Sequence, residues 1–210
     1  MTEEKFFYSL LRETDTIFKQ SPIYSFQKER GFNWNYAICE TPIQKYKALL
    51  FGLNWGGDDI DTQSEYPRSD KANRNWNFMS TSRKYFTKYL NIENENELNY
   101  SNLCFFRTPT TKPLTDKDWS LSLPLFEKYV DYIKPRVAIL MGTTGVNVLM
   151  RHEALVNLER FEKSTNGRRS FAYRGRLFNR YKFYCVPHPQ SRINSKVREQ
   201  LWSDITDHKV

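Results

Sequence analysis

The chain has 210 residues, of which 39% are hydrophobic and 16% aromatic. This composition excludes an intrinsically disordered protein and suffices for one domain, residues 1–210, with a buried core. The 32 Lys and Arg residues outnumber the 24 Asp and Glu residues, and the resulting net charge of +8 at pH 7 favours a polyanionic partner, with nucleic acid first. The three cysteines include no C-x-x-C pair, which argues against a zinc ribbon or an iron–sulfur cluster.

The N-terminal sequence, MTEEKFFYSLL, has neither the basic lead nor the long apolar run of a signal peptide. No stretch has the length and apolar character of a transmembrane span. We therefore expect a cytoplasmic chain that does not associate with a membrane. We also expect a monomer without a metal or cofactor.

Hydrophobic periodicity predicts an alternation of helices and strands. Residues 21–35 are aromatic and fit either a loop or a short helix. The polar residues 58–77 show no period, and a loop of this length is usually functional. The predicted elements are, in chain order, a helix at 2–19, an edge strand at 35–40, a strand at 46–53, a helix at 78–90, a strand at 98–106, a helix at 116–133, a strand at 137–141, a helix from Thr143 or Thr144 through 149, one hairpin arm at 168–176, a strand at 181–186 and a helix at 197–205.

This alternation predicts an α/β fold, with helices on both faces of a central, four-stranded, mostly parallel sheet. The segment at residues 47–59, KALLFGLNWGGDD, contains the clearest buried strand and ends at a glycine-rich turn. Chemically useful side chains follow several strands, among them Asn54, Thr143 and His188. Because parallel strands end at one edge of a sheet, we expect these residues to converge in one crevice.

Four segments at these strand ends resemble the uracil-DNA glycosylase superfamily, in the same order along the chain. They are GLNWG (residues 52–56), NLCFF (102–106), VAILMG (137–142) and VPHPQSRIN (186–194). The first two resemble the G-[MI]-N-P-G and N-L-C-P-L motifs of the single-strand-selective and mismatch-specific branches, and the last resembles H-P-S-P. Trp55 stands where the family usually has proline, and Gln190-Ser191 replaces Ser-Pro.

The resemblance implies a three-layer α/β/α fold and a metal-independent DNA glycosylase that flips a pyrimidine nucleotide out of the stack. It assigns Asn54 to positioning the attacking water and His188 to stabilising the leaving base. Because an amide is a poor base, Asp58 or Asp59 is the candidate for a true general base. Asparagine in a turn and a solvated carboxylate loop are the structural alternatives for these residues.

Asn102 is the candidate reader of the pyrimidine, because its amide can both donate and accept at the base edge. Tyr66, Trp55 and Phe105 compete as the aromatic on which the base stacks. The predicted DNA-contacting residues surround the strand ends. They include residues of the last motif that could enter the duplex and fill the gap left by the flipped base. They are Arg107, Thr143, Thr144, Gln190, Ser191, Arg192 and Ile193.

Uracil is the default substrate, and a modified pyrimidine is the main alternative. Some divergent members of the superfamily act on hypermodified cytosines of phage DNA, such as glucosylated hydroxymethylcytosine, and Asp58, Asp59, Gln63 and Arg68 are candidates for lining a wider, more polar pocket. A non-catalytic nucleic-acid-binding module and a small-molecule hydrolase that uses Asp58 remain competing classes.

Overall fold

The computed structural model describes residues 1–56, 63–68 and 77–207. Within this part of the chain the fold is α/β, with six helices and one six-stranded sheet. The helices are α1 (Glu3–Lys19), α2 (Pro22–Arg30), α3 (Asn77–Leu90), α4 (Asp116–Ile133), α5 (Thr144–Arg151) and α6 (Ser195–Thr206). The strands are β1 (Ala48–Trp55), β2 (Leu98–Arg107), β3 (Ala138–Met141), β4 (Leu155–Thr165), β5 (Arg168–Leu177) and β6 (Tyr181–Val186).

The sheet has the order β2-β1-β3-β6-β5-β4 and is mixed. Strands β3 and β6 pair in parallel, whereas β5 pairs antiparallel with both β6 and β4. The prediction of a four-stranded, mostly parallel sheet is therefore wrong in strand number and in the direction of these outer strands. Only the broader α/β class is confirmed.

The two additional strands form a hairpin, of which the sequence analysis had proposed one arm. The missed arm, β4, has the sequence LVNLERFEKST, and its pairing with β5 is irregular between Val156 and Glu159. Asn157 has a positive φ of 52° at that point. This bulge interrupts the period-2 pattern by which a strand is recognised, because it shifts every later side chain to the other face.

The predicted edge strand at residues 35–40 makes only two isolated bridges, Tyr36 with Phe106 and Cys39 with Ser101. A few backbone hydrogen bonds join the segment to β2, among them Ala37 N–H to the Phe105 carbonyl at 2.9 Å and Glu40 N–H to the Tyr100 carbonyl at 3.1 Å, and side chains satisfy other backbone groups. The Oε1 atom of Gln63 accepts the backbone N–H groups of Ile38 and Cys39 at 2.6 and 3.3 Å, and the Ser101 hydroxyl donates to the Ile38 carbonyl at 2.6 Å. The backbone N–H and C=O groups of this segment therefore find hydrogen-bond partners although the segment does not pair continuously with a strand.

Strand β1 begins and ends two residues later than predicted. Tyr46 has a left-handed φ of 63°, a conformation that cannot start an extended strand. The shift matters for function because it places Asn54 and Trp55 inside the strand rather than in the loop that follows it.

Local capping explains where several helices start. Thr2 caps α1 by accepting from the Lys5 N–H group. Thr115 and Asp118 form a reciprocal capping box at the start of α4. Residues 21–35, left open between loop and helix, contain α2, which Ser21 caps and Gly31 terminates in the left-handed conformation.

The chain divides into two compact units, residues 1–46, 51–72 and 99–134 in the first and 47–50, 73–98 and 135–210 in the second. In the first unit, α4 covers β1 and β2, with Phe126 of α4 against the rings of Phe51 and Phe105. In the second unit, α6 packs on the β4–β5–β6 part of the sheet and against α3. There Trp202 lies between the aromatic side chains of α3 and is 1% exposed.

Candidate functional site

The side chain of Asn54 is fixed in one orientation by Thr108. Its amide nitrogen donates to the Thr108 carbonyl at 3.1 Å and to the Thr108 hydroxyl at 2.9 Å. Because a carbonyl can only accept, this contact identifies the nitrogen end of the amide. The hydroxyl in turn donates to the Thr110 carbonyl at 2.5 Å, so its lone pairs remain for Asn54. Within the described residues nothing donates to the Asn54 Oδ1 atom, which is left to accept from a water or a ligand.

Asn102 lies against the backbone of Gly52. A Cβ atom on residue 52 would stand 2.4 Å from the Asn102 Oδ1 atom, closer than any van der Waals contact, so only glycine leaves room for this amide. Asn102 is 3% exposed, and its side chain has no hydrogen bond within the part of the chain that the structure describes. The donors and the acceptor of this amide are therefore available to a ligand.

A separate cleft of about 330 Å³ opens beside Trp55 and Tyr66. Its polar lining includes Glu40, Gln63 and Arg107. Trp55 is 5% exposed and its Nε1 atom has no hydrogen-bond partner among the described residues. The cleft therefore combines flat aromatic side chains with groups that can donate and accept.

Several ionisable groups of this cleft have shifted pKa values. Burial raises the pKa of the Tyr66 hydroxyl to about 12, and that hydroxyl accepts the backbone N–H of Ile43 at 2.8 Å. The pKa of the Glu40 carboxyl is raised because neighbouring protein atoms desolvate it, although the positive charge of Arg107 acts in the opposite direction. Part of Glu40 nevertheless reaches solvent.

The structure does not bring the predicted base reader and the predicted stacking residues into one cavity. Asn54 and Trp55 are neighbours in β1, and neighbouring strand residues point to opposite faces of a sheet. Accordingly, Trp55 and Tyr66 line the cleft, whereas Asn54 and Asn102 are not among its lining residues. This separation follows directly from the extension of β1 through Trp55.

Phe105 belongs to the core. It is completely buried and packs edge-on against Phe126 and Tyr129 of α4, so it offers no face to a base. Its neighbour Cys104 is also fully buried, and burial raises the pKa of that thiol to about 12. The thiol is therefore protonated at neutral pH and is not a nucleophile there. The general-base candidates Asp58 and Asp59 lie outside the described residues.

In the second unit, His188 follows β6 and packs over Gly142 at the end of β3. The two residues approach closely enough that a Cβ on residue 142 would lie 3.8 Å from the Cβ of His188. The His188 Nδ1 atom accepts the backbone N–H of Gln190 at 3.3 Å. An acceptor Nδ1 means that the neutral ring carries its proton on Nε2.

The loop that carries His188 is held by the guanidinium of Arg198 in α6. One terminal nitrogen donates to the carbonyls of Pro187 and His188 at 3.1 and 3.2 Å, and the other to the carbonyls of Pro189 and Ser191 at 3.3 and 3.0 Å. Arg198 is 5% exposed. The buried Arg198 guanidinium therefore fixes the conformation of this loop by donating hydrogen bonds to four backbone carbonyl groups.

The same arginine changes the titration of His188. Partial burial lowers the pKa of His188, and the positive charge of Arg198 lowers it further. Both effects favour the neutral imidazole. At neutral pH the ring is therefore an uncharged donor through Nε2.

The other predicted DNA contacts of this unit lie on two turns. Thr143 occupies the N-cap position of α5, but its backbone is in the αR conformation and its side chain makes no capping hydrogen bond, so the predicted threonine cap is not formed. Thr144 is exposed. Gln190, Ser191, Arg192 and Ile193 form the turn after His188, in which the Ser191 hydroxyl donates to the His188 carbonyl.

The sequence analysis missed Thr108, Glu40 and Arg198. Thr108 and Glu40 lie near predicted strands, but neither belongs to a motif of the resemblance. Arg198 sits beside the apolar stripe of α6, and nothing in its local sequence distinguishes it from a solvated helix arginine. Its hydrogen-bond partners are backbone carbonyls, which every residue has, so the sequence does not indicate which ones it contacts.

No group of three or more His, Cys, Asp or Glu residues in the described ranges has an arrangement that can hold a metal ion. Among the same residues, no helix combines the length and the apolar character needed to cross a bilayer. No protein-family model matches the sequence, and no curated protein is significantly similar to it.

Proposed function

We propose that the chain is a monofunctional DNA glycosylase that excises uracil or a modified pyrimidine and leaves an abasic site. The observation that carries the proposal is the buried Asn102 amide, which lies against Gly52 and has no hydrogen bond within the described residues. The pairing edge of a pyrimidine presents a donor and acceptors that match an asparagine amide. A flipped base would supply hydrogen-bond partners for this amide.

Asn54 has the geometry of a water-positioning residue. Hydrolysis of an N-glycosidic bond passes through an oxocarbenium-like state, so a water must be held under the sugar while the bond breaks. Thr108 accepts two hydrogen bonds from the Asn54 amide nitrogen, and the Asn54 Oδ1 atom would accept a hydrogen bond from the water. An asparagine orients the water without deprotonating it, which suffices when the electrophile is already cationic.

His188 supports the departure of the base. Negative charge develops on the base as the bond breaks, and a prearranged N–H donor stabilises such charge by about 3 kcal/mol. The ring of His188 is kept neutral by its lowered pKa and has its donor at Nε2. The resemblance stated above implies these two roles, together with a three-layer, uracil-DNA-glycosylase-like fold.

The cleft beside Trp55 favours a second candidate, a glycosylase for hypermodified cytosine that acts in defence against phage. Glu40, Gln63 and Arg107 give this cleft several donors and acceptors, which suit the hydroxyl groups of a sugar adduct better than a plain uracil ring. Trp55 and Tyr66 supply apolar surface of the kind on which sugars pack.

We propose that the enzyme is cytoplasmic and monomeric and needs no metal.

A non-catalytic DNA-binding module is the remaining alternative, and analysis of the reaction products distinguishes it from a glycosylase. The protein is incubated with oligonucleotides that carry uracil and, separately, with DNA that contains glucosylated hydroxymethylcytosine, and abasic sites are revealed by alkali.

Cleavage of one substrate that is lost in Asn54→Ala, Asn102→Ala and His188→Ala supports the glycosylase and names its base. Thr110→Val, an exposed substitution near the Asn54 anchor, is the matched control and should retain activity. Binding of DNA without abasic product from either substrate favours the module.

A further inference from the structure

A second cavity, of about 390 Å³, lies at the tip of the β4–β5 hairpin and the start of α6. The hairpin contributes Thr165, Arg168 and Ser170, and the segment before α6 contributes Arg192 and Asn194. The lining is mainly polar, and it carries two guanidinium groups and no carboxylate. This composition is that of a site for an oxyanion.

The hairpin turn presents Arg168 in a defined position. Thr165 and Arg168 are the last paired residues of the hairpin, and the two residues between them, Asn166 and Gly167, have φ values of 51° and 73°. Positive φ at both positions of a two-residue Asn-Gly loop is the signature of a tight hairpin turn that matches the strand twist. Arg168 and Ser170 lie on the same side of β5, because residues two apart share a face.

The charge of the two arginines is not neutralised, in contrast to that of their neighbours. Arg169 lies 3.6 Å from Glu162, Lys163 2.8 Å from Asp204, and Arg174 2.6 Å from Glu159. Arg168 and Arg192 have no carboxylate within ion-pair distance among the described residues. The hairpin therefore pairs Lys163, Arg169 and Arg174 with carboxylates and leaves the charge of Arg168 unpaired at this cavity.

We propose that this cavity binds a backbone phosphate of DNA, held by Arg168 and Arg192. A guanidinium presents parallel N–H donors that match two phosphate oxygens, and the hydroxyls of Thr165 and Ser170 add neutral donors. The cavity borders the turn that contains Arg192 and Ile193. A DNA strand with its phosphate in this cavity would therefore run beside the turn that is predicted to contact the duplex. The inference rests on the proposed function only in taking the phosphate to be that of DNA.

The test measures DNA binding rather than excision. Dissociation constants for a duplex with only ordinary bases are determined between 50 and 300 mM salt, for the wild type, Arg168→Ala, Arg168→Lys and Arg169→Ala. Each phosphate contact contributes about 0.9 to the slope of log affinity against log salt. Arg168→Ala should lower the slope by about one and weaken binding about 5- to 10-fold at the lower salt concentrations. Arg168→Lys should keep most of the slope.

The matched control is Arg169→Ala, which removes the same side chain from the adjacent residue but takes it from an existing ion pair. It should leave the salt slope unchanged, and circular dichroism should show the same thermal unfolding for both alanine variants. Equal slopes for Arg168→Ala, Arg169→Ala and the wild type would overturn the proposal. Because the duplex has no excisable base, this result is independent of whether the chain is a glycosylase.

A second arm uses inorganic phosphate as the probe, titrated calorimetrically into the wild type and Arg168→Ala. Weak, millimolar phosphate binding that needs Arg168, together with the change in DNA salt slope, supports a phosphodiester contact. Micromolar phosphate binding that needs Arg168, without any effect of the substitution on DNA, overturns DNA as the occupant in favour of a small phosphorylated molecule.

Discussion

Arg198 holds the backbone on which His188 is carried, through hydrogen bonds to the carbonyls of four residues at positions 187, 188, 189 and 191. The guanidinium is buried, and its charge contributes to the lowered pKa of the histidine. One side chain therefore both places the imidazole and keeps it neutral. The two effects are separable by substitution, since lysine keeps the charge but not the fork of donors.

Substitution of Arg198 should change the titration of His188 in a way that depends on the charge retained. In Arg198→Ala the neighbouring charge is lost, so the pKa of His188 should rise and the acid limb of any activity profile should move to higher pH. In Arg198→Lys the pKa should stay near its wild-type value while the rate falls about 10- to 100-fold, because the loop loses donors. NMR titration of the His188 ring in the three proteins measures the first effect without reference to activity.

Equal His188 pKa values in the alanine variant and the wild type would contradict the electrostatic part of this account. Arg198→Ala should also lower the free energy of unfolding by about 2–4 kcal/mol, since it leaves buried carbonyl groups without their charged donor. Urea unfolding at pH 7 checks that the variants are folded before titration.

The lowered pKa of His188 also predicts a dependence of stability on pH. The unfolded chain binds a proton at the ordinary histidine pKa near 6.5, whereas the folded chain resists it. The contribution is therefore fully present above pH 6.5 and is lost as the pH falls toward the folded value. His188→Gln should remove this contribution, so the difference in melting temperature between wild type and variant should change between pH 7.5 and 5. A constant difference over this range would contradict the shift.

Gly52→Ala should impair the enzyme through Asn102. The added methyl group would stand 2.4 Å from the Asn102 Oδ1 atom, so the amide must rotate out of its position at a cost of about 1–3 kcal/mol in stability. We expect the rate of excision to fall as far as it does in Asn102→Ala, and the double variant to be no worse than either single variant.

Gly56→Ala provides the matched control for that prediction. A Cβ on residue 56 would meet its nearest neighbour, the Pro109 carbonyl, at 3.9 Å, an ordinary contact. This variant should fold and keep its activity within a few-fold of the wild type. If Gly52→Ala retained full activity with Asn102 displaced, Asn102 would not be the base reader.

Thr108→Val should weaken the anchor of Asn54 without removing it. The substitution deletes the hydroxyl 2.9 Å from the amide nitrogen but leaves the Thr108 carbonyl in place. We expect kcat to fall about 5- to 30-fold with little change in KM, because a loosely held amide positions water poorly while substrate contacts remain. Single-turnover kinetics separate the chemical step from binding, and an unchanged single-turnover rate would exclude this role for Thr108.

Much of the secondary structure followed from periodicity and capping alone. The helix α1, the strand β6 and the α/β class were predicted from apolar spacing. The hairpin was half missed, although Asn166-Gly167 is among the clearest turn signals in the chain. The bulge at Asn157 hid the other arm, since it breaks the alternation on which strand recognition depends.

The candidate site was less accessible to sequence reasoning than the elements that carry it. The motifs singled out Asn54, Asn102 and His188, but their partners are set by tertiary contacts. Thr108 is 54 residues from the asparagine it holds, and Arg198 acts on backbone groups whose residue types are immaterial. The extent of β1 also decided which face Trp55 occupies, and strand ends are the least certain feature of a periodic pattern.

The measurement that tests the central claim most directly is the detection of a free base released from DNA. Duplex and single-stranded substrates that carry uracil or glucosylated hydroxymethylcytosine are incubated with the protein, and the small-molecule fraction is analysed by mass spectrometry. The account predicts release of one intact base by the wild type, accompanied by an equal amount of abasic DNA, and no release by Asn102→Ala or His188→Ala. Release of no base from any substrate by a folded wild-type protein that binds the same DNA would contradict it.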